Sequence, residues 1–290
     1  MKYLFFSLRA QQWIKNFFIF LPMIFGGKLL EASVVLKEIA AFLLFSLTAS
    51  VIYIVNDIID VEKDRVHPTK RLRPIASGRV TIKQAKILAL VLAIVSIPSA
   101  FILDITFGWI LVVYFVFNFL YSKILKNAVI IDIFCIGFFF LLRIMAGSVI
   151  AEVEMSHWII FMVVLLALFL GFNKRREEIR LLERQAASHR EVLKKYSIYF
   201  IDQMTAVITS SIVVVYMLYT IDARTVRVFG TNHLIYTIPF VYYGIFRYLY
   251  IIHKVVKEGD PTRILLFDKK MQLNILFWVA SCIAVIYFGL

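Results

Sequence analysis

Residues 128–150 read AVIIDIFCIGFFFLLRIMAGSVI, with Asp132 and Arg143 as the only charged side chains. A nearly uncharged run of about 20 residues is what a helix needs to cross the hydrocarbon core of a bilayer. Runs of this kind recur along the chain. Their spacing predicts nine helices, near residues 13–30, 36–57, 84–103, 105–122, 128–150, 156–173, 203–221, 233–252 and 271–289. The 290 residues are 61% hydrophobic with a mean hydropathy of +0.85, well above the roughly 45–50% apolar content of a soluble domain. The expected fold class is all-α: a polytopic membrane bundle of about nine transmembrane helices, forming one integral-membrane domain over residues 1–290.

Three connections, near 58–83, 174–202 and 253–270, are long and carry most of the Lys and Arg. Lys2, Arg9, Lys15, Lys123 and Lys126 fall on the same side as these loops. The opposite side holds Lys28, Lys37, Arg224 and Arg227 alone. Basic residues gather on the cytoplasmic side of membrane proteins. The N-terminus and all three long loops are therefore expected in the cytoplasm, and the C-terminus outside. Topology thus accounts for most of the net charge of +13, and no nucleic-acid partner is expected. The first apolar run contains Lys15, Asn16 and Pro22 without a small-residue cleavage pattern, which reads as a retained helix. Cys135 and Cys282 lie in apolar runs without ligand-like spacing, arguing against a disulfide framework or zinc site. A homo-oligomer is compatible with the sequence.

The chemistry concentrates between Asn56 and Gly78, NDIIDVEKDRVHPTKRLRPIASG. Asp57, Asp60 and Asp64 are spaced by three and then four, so one helix face can carry all three, with Asn56 alongside. Carboxylates gather a hard cation such as Mg2+, which keeps sites for water and substrate phosphate. Arg65, Lys70, Arg71 and Arg73 follow at once, and such groups gather phosphate. The pattern reads as a site for a magnesium-bound polyphosphate. The plainer alternative is a solvated acidic face paired with topology-setting cations. Pro68 and Pro74 bias His67 and Arg73 toward extended backbone, so the segment should form a loop folding back over the helix end. His67 reads as fixing that loop rather than as a ligand.

At the end of the sixth helix lie Asn173, Lys174, Arg175, Arg176 and Glu177. Lys174 and Arg175 are expected at the depth of the acidic cluster, as phosphate contacts. Asn173 and Glu177, four apart, share a face and could form a second cation site or remain solvated. The mixed-charge stretch onward to Lys195 reads as a surface helix. Arg143 is costly inside the membrane and needs a polar partner or cavity. Asp132 is eleven residues away, roughly 16 Å along a helix, too far for a direct pair, so each should have its own partner. Substrate binding and a structural contact both remain open for Arg143. Lys15 and Asn16 sit near the cytoplasmic face and can either reach a ligand or anchor the interface.

The acidic segment resembles the NDxxDxxxD motif of the UbiA-type intramembrane prenyltransferases. Its continuation, Arg65-x-His67-Pro68-x-Lys70-Arg71-x-Arg73-Pro74-Ile75-Ala76-x-Gly78, is similar to the decaprenyl-phosphate phosphoribosyltransferase branch. Gln12-Trp13-x-Lys15-Asn16, Tyr121-Ser122-x-x-Leu125-Lys126, Asp132, Leu142-Arg143-x-x-Ala146-Gly147, Lys174-Arg175 and Gly259-Asp260-Pro261 extend the resemblance. Asn173 departs from the branch's usual Gly. The second Asp-rich motif of aromatic prenyltransferases is replaced by Lys174-Arg175-Arg176-Glu177.

The resemblance implies a bacterial inner-membrane enzyme of the cell envelope. It would use Mg2+ to transfer 5-phosphoribose from phosphoribosyl diphosphate to a polyprenyl phosphate. Asp57, Asp60 and Asp64 would act at the catalytic centre, with Asn56 among the metal ligands. Lys15, Asn16, Arg65, Lys70, Arg71, Arg73, Asp132, Arg143, Lys174 and Arg175 would bind substrate. Prenyl transfer from a prenyl diphosphate is the alternative. A lipid transporter fits less well, because its site would lie near the midplane rather than at one face.

Overall fold

The computed structural model describes residues 2–67, 69–184, 196–255 and 267–289. Pro68, the continuation of the second long connection beyond Arg184 to Lys195, and Gly259-Asp260-Pro261 lie outside the described residues. The described elements are helical throughout. They are α1 (Lys2–Ser7), a 3-10 helix (Ala10–Phe20), α2 (Leu21–Phe25), α3 (Ala32–Ile59), α4 (Val61–Val66), α5 (Ile82–Leu103) and α6 (Ile105–Lys123), then α7 (Ile131–Ile150), α8 (His157–Arg184), α9 (Ile198–Ile221), α10 (Ala223–Phe229), α11 (Ile238–Tyr250) and α12 (Lys269–Phe288). A 3-10 turn (His233–Thr237) leads into α11, and a π-helical turn (Ile251–Val255) follows it.

Eight of the described segments are long and apolar enough to cross a membrane, in keeping with a polytopic all-α bundle. The first expected span is the exception, since it is wound more tightly. Pro22 has no N–H to offer the carbonyl of Phe18, and that carbonyl accepts from Leu21 instead. A 3-10 helix rises about 2.0 Å per residue and an α-helix about 1.5 Å. Ala10–Phe25 therefore covers about 30 Å, the thickness of a bilayer core, and about nine spans stand.

Local signals set the helix ends. Thr81 and Gln84 form a reciprocal capping box at the start of α5. Asp104, Ser197, Asp222 and Asp268 cap α6, α9, α10 and α12 through side-chain oxygens. Ile87, Leu90, Val91, Ile94 and Val95 of α5 point outward, an apolar face suited to lipid rather than water.

The chain divides into two compact units, residues 1–126 with 142–154 and residues 127–141 with 155–290. In the first, α3 packs on α5, α6 and the 3-10 helix. Gly147 of α7 meets the 3-10 helix backbone, where a Cβ would lie 1.9 Å from the carbonyl oxygen of Ile19. The second unit is built on α8 against α9, with Phe169, Phe172, Ile201, Ile208 and Tyr248 among its buried residues.

Candidate active site

In the first unit, Asp57 on the last turns of α3 and Asp64 on α4 are each only 3% exposed. Both accept from the same nitrogen, Nη1 of Arg73, with Asp57 Oδ1 at 3.0 Å and Asp64 Oδ2 closer still. Arg9 Nη2 donates to that same Oδ1 of Asp57. Arg9 itself stands in the left-handed region at φ 53, ψ 47, uncommon for a residue with a side chain, and its guanidinium lies 5.5 Å from the Tyr53 ring. Burial draws the Arg9 pKa below its ordinary value, against the opposing pull of Asp57.

The loop that delivers Arg73 is fixed by its own sequence. His67 and Arg73 take extended ψ angles of 135° and 145° ahead of the two prolines, as expected. His67 Nδ1 accepts from the backbone N–H groups of Thr69 and Lys70 at 3.3 Å, the loop-fixing role read from the sequence. Ile75 and Val80 are 2% exposed and pack with Val51, Ile54, Val61, Ala85 and Ala89. Burying such side chains is worth roughly 1.5–3 kcal/mol each, which seats the loop on α3 and α5.

One expectation changes. α3 stops at Ile59, Asp60 adopts φ −92, ψ 9, and α4 begins at Val61. The break interrupts the single face that would have carried three aspartates. Asp57 and Asp64 converge and Asp60 does not join them. Among the described residues, no three His, Cys, Asp or Glu side chains are arranged to enclose a metal ion. Asp60 is half-buried, and its carboxylate makes no hydrogen bond or ion pair among the described residues. The donor set nevertheless suits Mg2+: hard carboxylate oxygens, two of them already aimed at one positive centre. Arg65 is exposed and paired with Glu62 at 2.8 Å. Lys70 is half-buried, Arg71 exposed and Asn56 half-buried.

Elsewhere in the first unit, Arg143 Nε donates to Asn16 Oδ1 at 2.8 Å and Nη2 to Tyr114 Oη at 3.0 Å. Asn16, 1% exposed, donates onward to Ser46 Oγ at 2.9 Å. This chain ties the 3-10 helix, α3, α6 and α7 together. Lys15, next to Asn16, is half-buried.

In the second unit, Asp132 and Arg175 find each other. Arg175 Nε donates to Asp132 Oδ2 at 2.7 Å, with side chains 1% and 0% exposed, and Arg175 also pairs with Glu178. Tyr196 Oη donates to Asp132 Oδ1 at 2.9 Å and accepts from the Ile130 N–H at 2.5 Å. Burial raises the Tyr196 pKa, which keeps the phenol a donor. Asp132 and Arg143 thus have separate partners, as their spacing required. Lys174 and Arg175, expected to act together, do not share an environment. Successive helical residues point about 100° apart, so Lys174 is exposed while Arg175 is sealed. Arg176 pairs with Asp202 at 2.7 Å. Asn173 donates to the Phe169 carbonyl, and its buried Oδ1 has no hydrogen-bond partner among the described residues.

Arg9, Tyr114, Tyr196 and Glu178 are the participants that sequence reasoning missed. The only signal for Arg9 was its place three residues before the Gln12-Trp13-x-Lys15-Asn16 motif.

The UbiA prenyltransferase family matches residues 19–276. The chain belongs to that family. A decaprenyl-phosphate phosphoribosyltransferase of Mycobacterium tuberculosis is 32% identical over 287 residues, covering 98% of this chain and 94% of that protein. The Mycolicibacterium smegmatis enzyme of the same name is 33% identical over 298 residues, covering 98% and 92%. Among solved structures, a UbiA homologue from Archaeoglobus fulgidus bound to GPP and Mg2+ superposes with a TM-score of 0.69 at 16% identity, covering 99% of each chain. At that identity the likeness is one of fold. The family match runs through both compact units, and the protein is a multi-pass membrane enzyme of the UbiA family.

Proposed function

We propose that this protein transfers 5-phosphoribose from phosphoribosyl diphosphate to a polyprenyl phosphate and releases diphosphate. It does so as a single domain of the bacterial cytoplasmic membrane, with N-terminus and acidic site on the cytoplasmic face. The observation that carries the reading is the cluster of Asp57 and Asp64 with Arg9 and Arg73 on the loop that bears Lys70 and Arg71. The near-full-length relatives named for this reaction support it. Mg2+, held by Asp57 and Asp64 with Asp60 and Asn56 as further candidate ligands beside them, would supply charge neutralisation for the diphosphate.

Arg73, Lys70 and Arg71 bind the phosphates and stabilise the charge that develops on the leaving group. Lys174 offers an exposed point charge to phosphate, whereas Arg175 braces Asp132. An oxygen of the lipid phosphate forms the new bond to ribose C1 as the bond from C1 to diphosphate breaks, its electron pair leaving with diphosphate. The attacking phosphate is already anionic, so no residue need remove a proton. The test is purified protein with labelled phosphoribosyl diphosphate, a polyprenyl phosphate and Mg2+. A labelled lipid forms, and chelation of the metal abolishes it; failure to form that lipid overturns the reading.

A second reading, prenyl transfer from a prenyl diphosphate, is favoured by the fold shared with homologues bound to GPP or DMAPP and Mg2+. Labelled geranyl diphosphate in place of the phosphoribosyl donor separates the two.

A further inference from the structure

We infer that the guanidinium of Arg73 holds the cation position of the acidic site, so that the protein takes up a divalent metal together with a diphosphate and holds it poorly alone. The inference rests on the reading of Asp57 and Asp64 as metal ligands. A metal held between the two carboxylates would compete with Arg73, whose Nη1 already draws Asp57 Oδ1 and Asp64 Oδ2 toward one point. Asp57 Oδ1 accepts from Arg9 as well. Charge-assisted bonds of this kind are among the stronger hydrogen bonds in proteins, and Mg2+ requires close oxygen ligands at about 2.0–2.1 Å in near-ideal octahedral geometry.

The charge balance points the same way. Two buried carboxylates are matched by two arginines, and even with half-buried Asp60 counted beside them a divalent ion arriving alone leaves a partly buried cluster with surplus positive charge, which is costly. A diphosphate removes that surplus and gives the displaced guanidiniums a new anion. Both arginine side chains keep a route to it, at 26% and 28% exposure for Arg9 and Arg73. Arg9 and Arg73 therefore exchange carboxylate for diphosphate when the donor binds.

The test is Mn2+ binding to the purified full-length protein in detergent, read by loss of the free-ion electron paramagnetic resonance signal. Inorganic diphosphate is the probe, and a protein-free blank is subtracted. In the wild type, diphosphate should raise Mn2+ affinity about tenfold or more, and Mn2+ should raise diphosphate affinity by the same factor. Arg73→Gln should bind Mn2+ alone several-fold more tightly than the wild type and lose most of the diphosphate effect. Arg9→Gln should shift the same way, less strongly. An Arg73→Gln protein that binds Mn2+ alone no better than the wild type overturns the inference. So does a wild type whose Mn2+ affinity ignores diphosphate, and that measurement stands even where the variant does not fold. Asp64→Asn separates the levels: if it leaves Mn2+–diphosphate binding intact, the acids are not the ligands and the inference falls with that assignment. Loss of binding in Asp64→Asn without tightening in Arg73→Gln overturns the exchange alone.

Discussion

Asp132 and Arg175, 43 residues apart in sequence, form an ion pair at 2.7 Å whose side chains are 0% and 1% exposed. Removing Asp132 leaves the sealed Arg175 charge under-compensated, with Glu178 as its remaining acidic partner among the described contacts. Asp132→Ala should destabilise the protein by roughly 3–5 kcal/mol, measured by unfolding in detergent. Replacing both residues with apolar side chains of similar volume should recover much of that loss, because the under-compensated buried charge disappears. A double variant as unstable as Asp132→Ala would show that Arg175 matters through Glu178 instead.

Tyr196 links this pair to a strained backbone. Ile130 has φ 70, an outlier for a β-branched residue, and its N–H donates to Tyr196 Oη. Tyr196→Phe removes both that acceptor and the donor to Asp132. The expected loss is about 1–3 kcal/mol, accompanied by faster hydrogen exchange at Ile130. Unchanged stability would mean that solvent or neighbours replace both bonds.

Gly147 is where α7 meets the N-terminal 3-10 helix. A methyl group there would lie 1.9 Å from the Ile19 carbonyl oxygen, a fixed backbone atom that no rotamer change can move. Gly147→Ala should cost at least about 1–3 kcal/mol, read as a lowered melting temperature. A variant that melts with the wild type would show that the 3-10 helix shifts freely.

The sequence made the membrane class legible because apolar length alone decides it, and the two pre-proline residues declared an extended loop because ring sterics act locally. The eleven-residue gap between Asp132 and Arg143 correctly demanded two partners. What stayed hidden depends on tertiary placement. Nothing in spacing connects Arg9 to Asp57, 48 residues on. The adjacency of Lys174 and Arg175 suggested one role until the helix turned them to different surroundings. The three aspartates looked equivalent on an ideal helix, and the break at Asp60 sorts them into two that converge and one that stands apart.

Asp268 gives a pH-dependent signature. Its hydrogen bond from Arg247, 2.7 Å at the closer oxygen, holds its carboxyl below the ordinary carboxylate value, and it also accepts from Met271 N–H at the start of α12. A depressed folded pKa contributes stability that is present above the unfolded value, near 4, and lost as pH falls through the lower folded value. Melting temperatures measured from neutral pH down through pH 3 should therefore show a shallower acid decline in Asp268→Asn than in the wild type. The variant should be less stable than the wild type at neutral pH. Parallel declines would show that this pair contributes nothing to acid sensitivity.

Asp60 separates chemistry from stability most cleanly. Asp57 and Asp64 are each bound to arginine, so removing either disturbs a buried cluster as well as any metal. The Asp60 carboxylate has no partner among the described residues to lose. Asp60→Asn keeps the shape and removes only charge. Its stability should stay within about 0.5 kcal/mol of the wild type, as for a substitution that breaks no contact. Turnover should fall by on the order of 100-fold or more if that charge serves the metal and the leaving diphosphate. Raising Mg2+ should restore part of the rate, because weakened metal binding is then the defect. Full activity in Asp60→Asn would remove Asp60 from the metal set and leave the site to Asp57 and Asp64, and lost stability would mean that its charge is used within the fold.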